Sequence, residues 1–99
     1  MSTLINFSIF PLDKGESVSV YVARVLEIVR HSGLAYKLNP MGTAIEGEWG
    51  EVMDVVTSCF EEIKKDCDRV YMTVNADYRK DKLERIERKV QSVESKLQA

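Results

Sequence analysis

Two stretches of the chain alternate apolar and polar residues with a period of two, one near its start and the other in its last third. Leu4 to Phe10 reads LINFSIF, with Ile5, Phe7 and Ile9 against Asn6 and Ser8. Arg69 to Asp77 reads RVYMTVNAD, with Val70, Met72, Val74 and Ala76 against Tyr71, Thr73, Asn75 and Asp77. Such alternation belongs to strands buried on one face only, as in an antiparallel sheet with two unlike sides. Pro11 ends the first strand, and Pro11 to Gly15 forms a turn. Ser17 is placed to cap a helix running to about Ser32, with Val18, Val22, Val25, Leu26 and Val29 on one face. Gly33 suits the left-handed residue that stops it. Leu34 to Asn39 and Met41 to Glu48 form two short strands, and the Asn39-Pro40 break between them forbids helix and marks a hairpin. Helical spacing returns from Trp49 or Gly50 to about Lys65 through Val52, Val56, Cys59, Phe60 and Ile63, with Lys64 and Lys65 at the end that favours cations. From about Lys80 onward, Leu83, Ile86, Val90, Val93 and Leu97 recur every three or four residues through a charged background. This third helix must dock its narrow apolar stripe on its own subunit or a neighbour.

The order β-α-β-β-α-β followed by a helix is that of an α+β, ferredoxin-like sandwich with an extra C-terminal helix, expected as a single domain over residues 1–99. Right-handed crossovers put both connecting helices on one side of the sheet and leave the other side bare. The first strand is central, between the third and the fourth. The bare side then carries Leu4, Asn6, Ser8 and Phe10 beside Tyr71, Thr73, Asn75 and Asp77.

Composition narrows the partners. A net charge of −2 with interspersed signs lacks the basic excess that a phosphate backbone demands, so nucleic acid is not an expected partner. Cys59 and Cys67 sit eight positions apart along one helix or just past it, and two helical turns span roughly 11–12 Å, beyond disulfide reach. Both are expected as free thiols, Cys59 as a small core residue. A single histidine argues against zinc. No stretch approaches the roughly twenty apolar residues of a membrane span, and a soluble, cytoplasmic protein without a membrane partner is expected.

The bare face, poor in lysine and glutamate in a chain with 30% charged residues, reads either as an ordinary solvated surface or as a binding site or subunit interface. Gly42 and Gly47 interrupt a strand, where glycine often marks a bulge or the close approach of a ligand or another backbone. Glu46 between Ile45 and Gly47 is a carboxylate on a sheet; it is either an exposed strand-end charge or, partly enclosed, favours a cationic or amine-bearing ligand.

PMGTAIEGEW, preceded by YVARVLEIVRHSGLAYKLN and followed by EVMDVV, resembles the YkoF-related family of small thiamine-binding proteins. The early strand ahead of Pro11, the later ADYRKDK and the terminal KVQSVESKL extend the likeness over nearly the whole chain. The resemblance implies non-catalytic binding of thiamine or hydroxymethylpyrimidine at pockets of the sheet and subunit interface, with no cofactor, and assembly into a homodimer or homotetramer. An aminopyrimidine presents ring-nitrogen acceptors and an amine donor, which Asn, Ser, Thr and Glu can meet. The candidate ligand-binding residues are Glu46, Thr43, Asn6, Ser8 and Asn39, then Asn75 and Tyr71. Strand parity cannot place Thr43 and Glu46 on one face, so at least one of them is expected to act from a bulge or an edge. Glu46 or Glu48 suits the thiazolium charge, and Phe10, Tyr36 or Trp49 suits cation–π contact.

His31 reads as a helix-terminal side chain, and Arg79, Lys80 and Lys82 as a solvated helix entrance. Trp49 and Met53 are expected in the core or an interface. Two other functions compete with the binding module: a small cofactor-free enzyme of isomerase or monooxygenase type using Glu46, and a structural or regulatory oligomerisation domain.

Overall fold

In the computed structural model, which describes residues 2–16, 18–80 and 85–97, the first alternating stretch forms strand β1 (Ser2–Pro11). It pairs along its whole length with β4 (Val70–Arg79), from Ser2↔Arg79 to Pro11↔Val70. On its other side it pairs with β3 (Gly42–Gly47), which in turn pairs with β2 (Ala35–Asn39). The result is an antiparallel sheet in the order β2-β3-β1-β4, the ferredoxin-like arrangement expected from the element order. Pro11 is the last residue of β1 instead of the first beyond it. The missing N–H does not end the pairing, because the Leu12 N–H donates to the Arg69 carbonyl at 2.9 Å. Asn39 pairs with Gly42, so Pro40 and Met41 make the two-residue hairpin turn.

Helix α1 (Ser19–His31) and helix α2 (Trp49–Lys64) lie against one side of the sheet. Their apolar stripes meet Ile5, Phe7, Ile9 and Ile45, burying Val25 and Val29 of α1 and Val52, Val56, Cys59 and Ile63 of α2. Arg24 ties the two helices together, pairing with Glu62 at 2.9 Å and Asp66 at 2.6 Å. The expected cap Ser17 lies outside the described residues; Val18 holds the N-cap position without a side-chain cap bond. Gly33 ends α1 at φ +79°, the left-handed region where a Cβ is costly. Both cysteines are free and buried, and burial pushes the Cys59 thiol up to about 12, which leaves it un-ionised and inert near neutrality. Met53 packs on the core, but Trp49 does not: as the first residue of α2 it stands exposed beyond the contact with the sheet.

One expectation needs correction. The side of the sheet away from α1 and α2 is not bare, because helix α3 (Arg85–Leu97) docks on it and contacts β1, β2 and β3. Ile86 is half-buried there, while Val90, Val93 and Leu97 become progressively more exposed at 44%, 59% and 79%. The helix is therefore seated through its first turns and runs off the sheet after them. Leu83, expected on the same stripe, lies outside the described residues, as does Lys82. Among the described residues, no helix is long and apolar enough to cross a membrane.

Candidate functional site

The docking of α3 begins with strand parity in β3. Thr43 and Ile45 face α1 and α2, whereas Ala44 and Glu46 face the other way, opposite Asn6 and Leu4 of β1. The first N–H groups of any helix lack partners within it and carry the positive end of its dipole. Glu46 meets both needs: its Oε1 accepts from the Arg85 N–H at 2.7 Å and from the Ile86 N–H at 3.3 Å. Glu46 is 7% exposed, and its Oε2 has no hydrogen-bond partner among the described residues.

Arg85 secures the same turn to the other two strands. Its buried guanidinium donates to the Ser2 carbonyl at 3.2 Å and to the Asp77 carbonyl at 2.8 Å, and pairs with the Asp77 carboxylate. Lys89, one turn on, reaches the same carboxylate at 2.7 Å. The hydrogen bond from Lys89 and the nearby Arg85 charge hold the Asp77 carboxyl below the ordinary aspartate range.

Between α3 and the sheet lies a cavity of about 350 Å³. Leu4, Asn6, Ala44 and Asn75 line it from the sheet, Lys37 and Asn39 from the edge strand β2, and Ile86, Lys89 and Val90 from the helix. Asn6 and Asn75 are direct cross-strand partners. Gly42 explains how Asn6 is held: a Cβ at this position would lie 2.9 Å from Asn6 Oδ1 and 3.1 Å from the Phe7 carbonyl. The close approach expected of a strand glycine is thus made by a carboxamide of the site itself. A second cavity of about 400 Å³ lies on the other flank of Ile86, against Leu34, Ala35, Tyr36, Glu46 and Glu87.

Of the seven candidate residues, Asn6, Asn39 and Asn75 converge on the first cavity and Glu46 on the second. Ser8 and Tyr71 share the open face but lie farther along it, where the Phe10 and Tyr71 rings pack with centroids 5.7 Å apart. Thr43 does not reach either cavity; with Ser8 and Asn39 it lines a separate one of about 280 Å³, against Val18 and Val22 at the start of α1. It pairs with Phe7 on the opposite side of the sheet, buried beneath the helices. Lys37, Arg85 and Lys89 were not anticipated. The parity shared by Lys37 and Asn39 would have found the first; nothing local distinguishes Arg85 from its exposed basic neighbours. His31 is a helix-terminal side chain as expected, with Nδ1 2.8 Å from the Glu27 carbonyl. Among the described residues, no group of three or more side chains is arranged to hold a metal ion.

A family model described as "Thiamine-binding protein" matches residues 5–94, a span that contains every candidate residue. The UPF0045 protein MJ1052 of Methanocaldococcus jannaschii is 38% identical over 86 residues, covering 87% of this chain and 86% of that one. The UPF0045 protein Mb1933 of Mycobacterium bovis is 38% identical over 98 residues, covering 98% and 96%. The crystal structure of the M. jannaschii protein superposes with a TM-score of 0.86 at 36% identity, over 93% of this chain and 95% of that one. A Thermotoga maritima protein proposed to act in thiamine biosynthesis or salvage shares the fold, with a TM-score of 0.83 at 22% identity over 94% and 99% of the two chains.

Proposed function

We propose, since this chain belongs to the thiamine-binding protein family, that the cavity roofed by α3 binds thiamine or its hydroxymethylpyrimidine part and holds it without turnover. The observation that carries this reading is the convergence of three carboxamides, Asn6, Asn39 and Asn75, on one half-enclosed cavity of about 350 Å³. A carboxamide both donates and accepts, which is what an aminopyrimidine requires, and Ile86 and Val90 offer its flat ring an apolar cover. Lys37, Arg85 and Lys89 outnumber the single carboxylate of Asp77 in the lining, and this positive balance disfavours a permanent cation inside the cavity. The pyrimidine therefore enters, and the thiazolium points along the face toward Phe10 and Tyr71, whose rings suit cation–π contact. Titration calorimetry with thiamine and with hydroxymethylpyrimidine tests the reading. Saturable binding is expected with at least one of them, weakened about tenfold in Asn75→Ala by loss of a hydrogen bond, and unchanged in Thr43→Val. Absence of binding by both compounds would overturn it.

Self-association is part of the same proposal, as a homodimer or a pair of dimers. It is supported by two exposed features: the stripe Val90, Val93 and Leu97 on α3, and edge strand β4, which is open to solvent along most of its length. A long free strand edge invites pairing with another copy. Light scattering is expected to report a particle at least twice the 11.3 kDa mass of the chain; a stable monomer at micromolar concentration would contradict it.

A further inference from the structure

The geometry points to a second ligand site, on the β2 flank of α3, for a small organic cation that carries N–H groups: a primary ammonium or an amidinium. Two independent observations meet there. The first is the spare oxygen of Glu46, which lies in a side chain 7% exposed and has no hydrogen-bond partner among the described residues. A buried carboxylate oxygen left without a donor is costly, more so than a neutral acceptor, and an N–H donor relieves that cost. The second is the cavity of about 400 Å³ that Glu46 lines, with Leu34, Ala35 and Ile86 as apolar walls and Glu87 as a further carboxylate. Both formally charged lining residues are acidic, and the buried Arg85 guanidinium turns away from them to Ser2 and Asp77.

This site is separate from the carboxamide cavity; the two share Ile86 alone. The chemistry also differs. A thiazolium ring has charge but no N–H to give to Oε2, whereas an ammonium or amidinium has both. Because Oε1 of the same carboxylate receives the Arg85 and Ile86 amides, a cation on Oε2 ties the occupied site to the first turn of α3. Occupancy and helix docking are then linked through one carboxylate.

n-Butylammonium is a suitable probe, with n-butanol as its neutral counterpart, in a titration followed by the NMR signals and hydrogen exchange of the Arg85 and Ile86 amides. The amine is expected to shift both signals saturably and to change their exchange, and the alcohol to do neither. In Glu46→Gln one acceptor oxygen remains for the helix, but a donor replaces the spare oxygen. Affinity for the amine is expected to fall between about tenfold and a hundredfold, the range set by hydrogen bonds to charged groups. Glu87→Gln changes an exposed helix residue, so folding is not at stake, and it should weaken binding by a smaller factor. Equal responses to amine and alcohol, no saturable response to the amine, or undiminished affinity in folded Glu46→Gln would each overturn the site.

Discussion

Phe7→Ala is expected to lower the free energy of unfolding by about 3–5 kcal/mol, the range for removing a fully buried phenylalanine. Phe7 is 1% exposed at the centre of the sheet, flanked by Thr43 on one side and Val74 on the other. Its ring fills the layer between β1 and the two helices, and the backbone around it is locked by pairing on both edges. The space can therefore collapse little once the ring is gone, which sets the cost toward the upper end. Such a loss is a large fraction of the 5–15 kcal/mol typical of a folded domain. Urea unfolding followed by circular dichroism measures it, with the midpoint falling and the slope unchanged. A loss below about 1 kcal/mol would mean that the ring is not packed as described.

Arg85→Met is expected to act on a different part of the molecule. The guanidinium joins α3 to Ser2 and Asp77 through charge-assisted contacts, and methionine keeps the apolar stem while removing all of them. Breaking a buried ion pair costs about 3–5 kcal/mol when the partner stays buried, but Asp77 is half exposed and keeps Lys89. Solvation of that carboxylate reduces the cost to about 2 kcal/mol. The loss falls on the attachment of α3 and leaves the sheet and the other two helices intact. Hydrogen exchange should show the α3 amides losing protection while those of β1 and α2 keep theirs, and thiamine binding should weaken with the loss of the cavity roof. Unaltered protection of α3 would show that Glu46 alone holds it. Acid acts on the same joint. The Asp77 carboxyl is held below its ordinary value, so its contribution to docking is in place above that value and is lost as pH falls through the lowered one.

The parts of this fold that follow from local rules were legible in the residues. Ile5, Phe7 and Ile9 alternate on a strand buried on one side, Asn39-Pro40 can only be a break, and Gly33 supplies the left-handed residue after α1. Parity alone separated Thr43 from Glu46. That α3 docks on something was legible in its apolar stripe; its seat on the sheet was not, because it depends on contacts across 39 and 83 positions of the chain, from Glu46 and Ser2 to Arg85. Along the sequence Arg85 is one basic residue among Lys82, Arg88 and Lys89, and only its neighbours in space bury it. In the sequence Glu46 is a sheet carboxylate that is either an exposed strand-end charge or, enclosed, a partner for a cationic ligand; in the fold one of its oxygens is occupied by the protein's own backbone. Asn6 and Asn75 were identifiable because they lie on adjacent strands. The roof that makes a cavity over them was not.

A helix moored at one end is a lever. With its pivot at Arg85 and a rise of about 1.5 Å per residue, a tilt of ten degrees sweeps the far tip through roughly 3 Å while Ile86 moves by only tenths of an ångström. An excursion at the tip would thus be geared down toward the pivot, to a finer adjustment of the roof above Asn6 and Asn75.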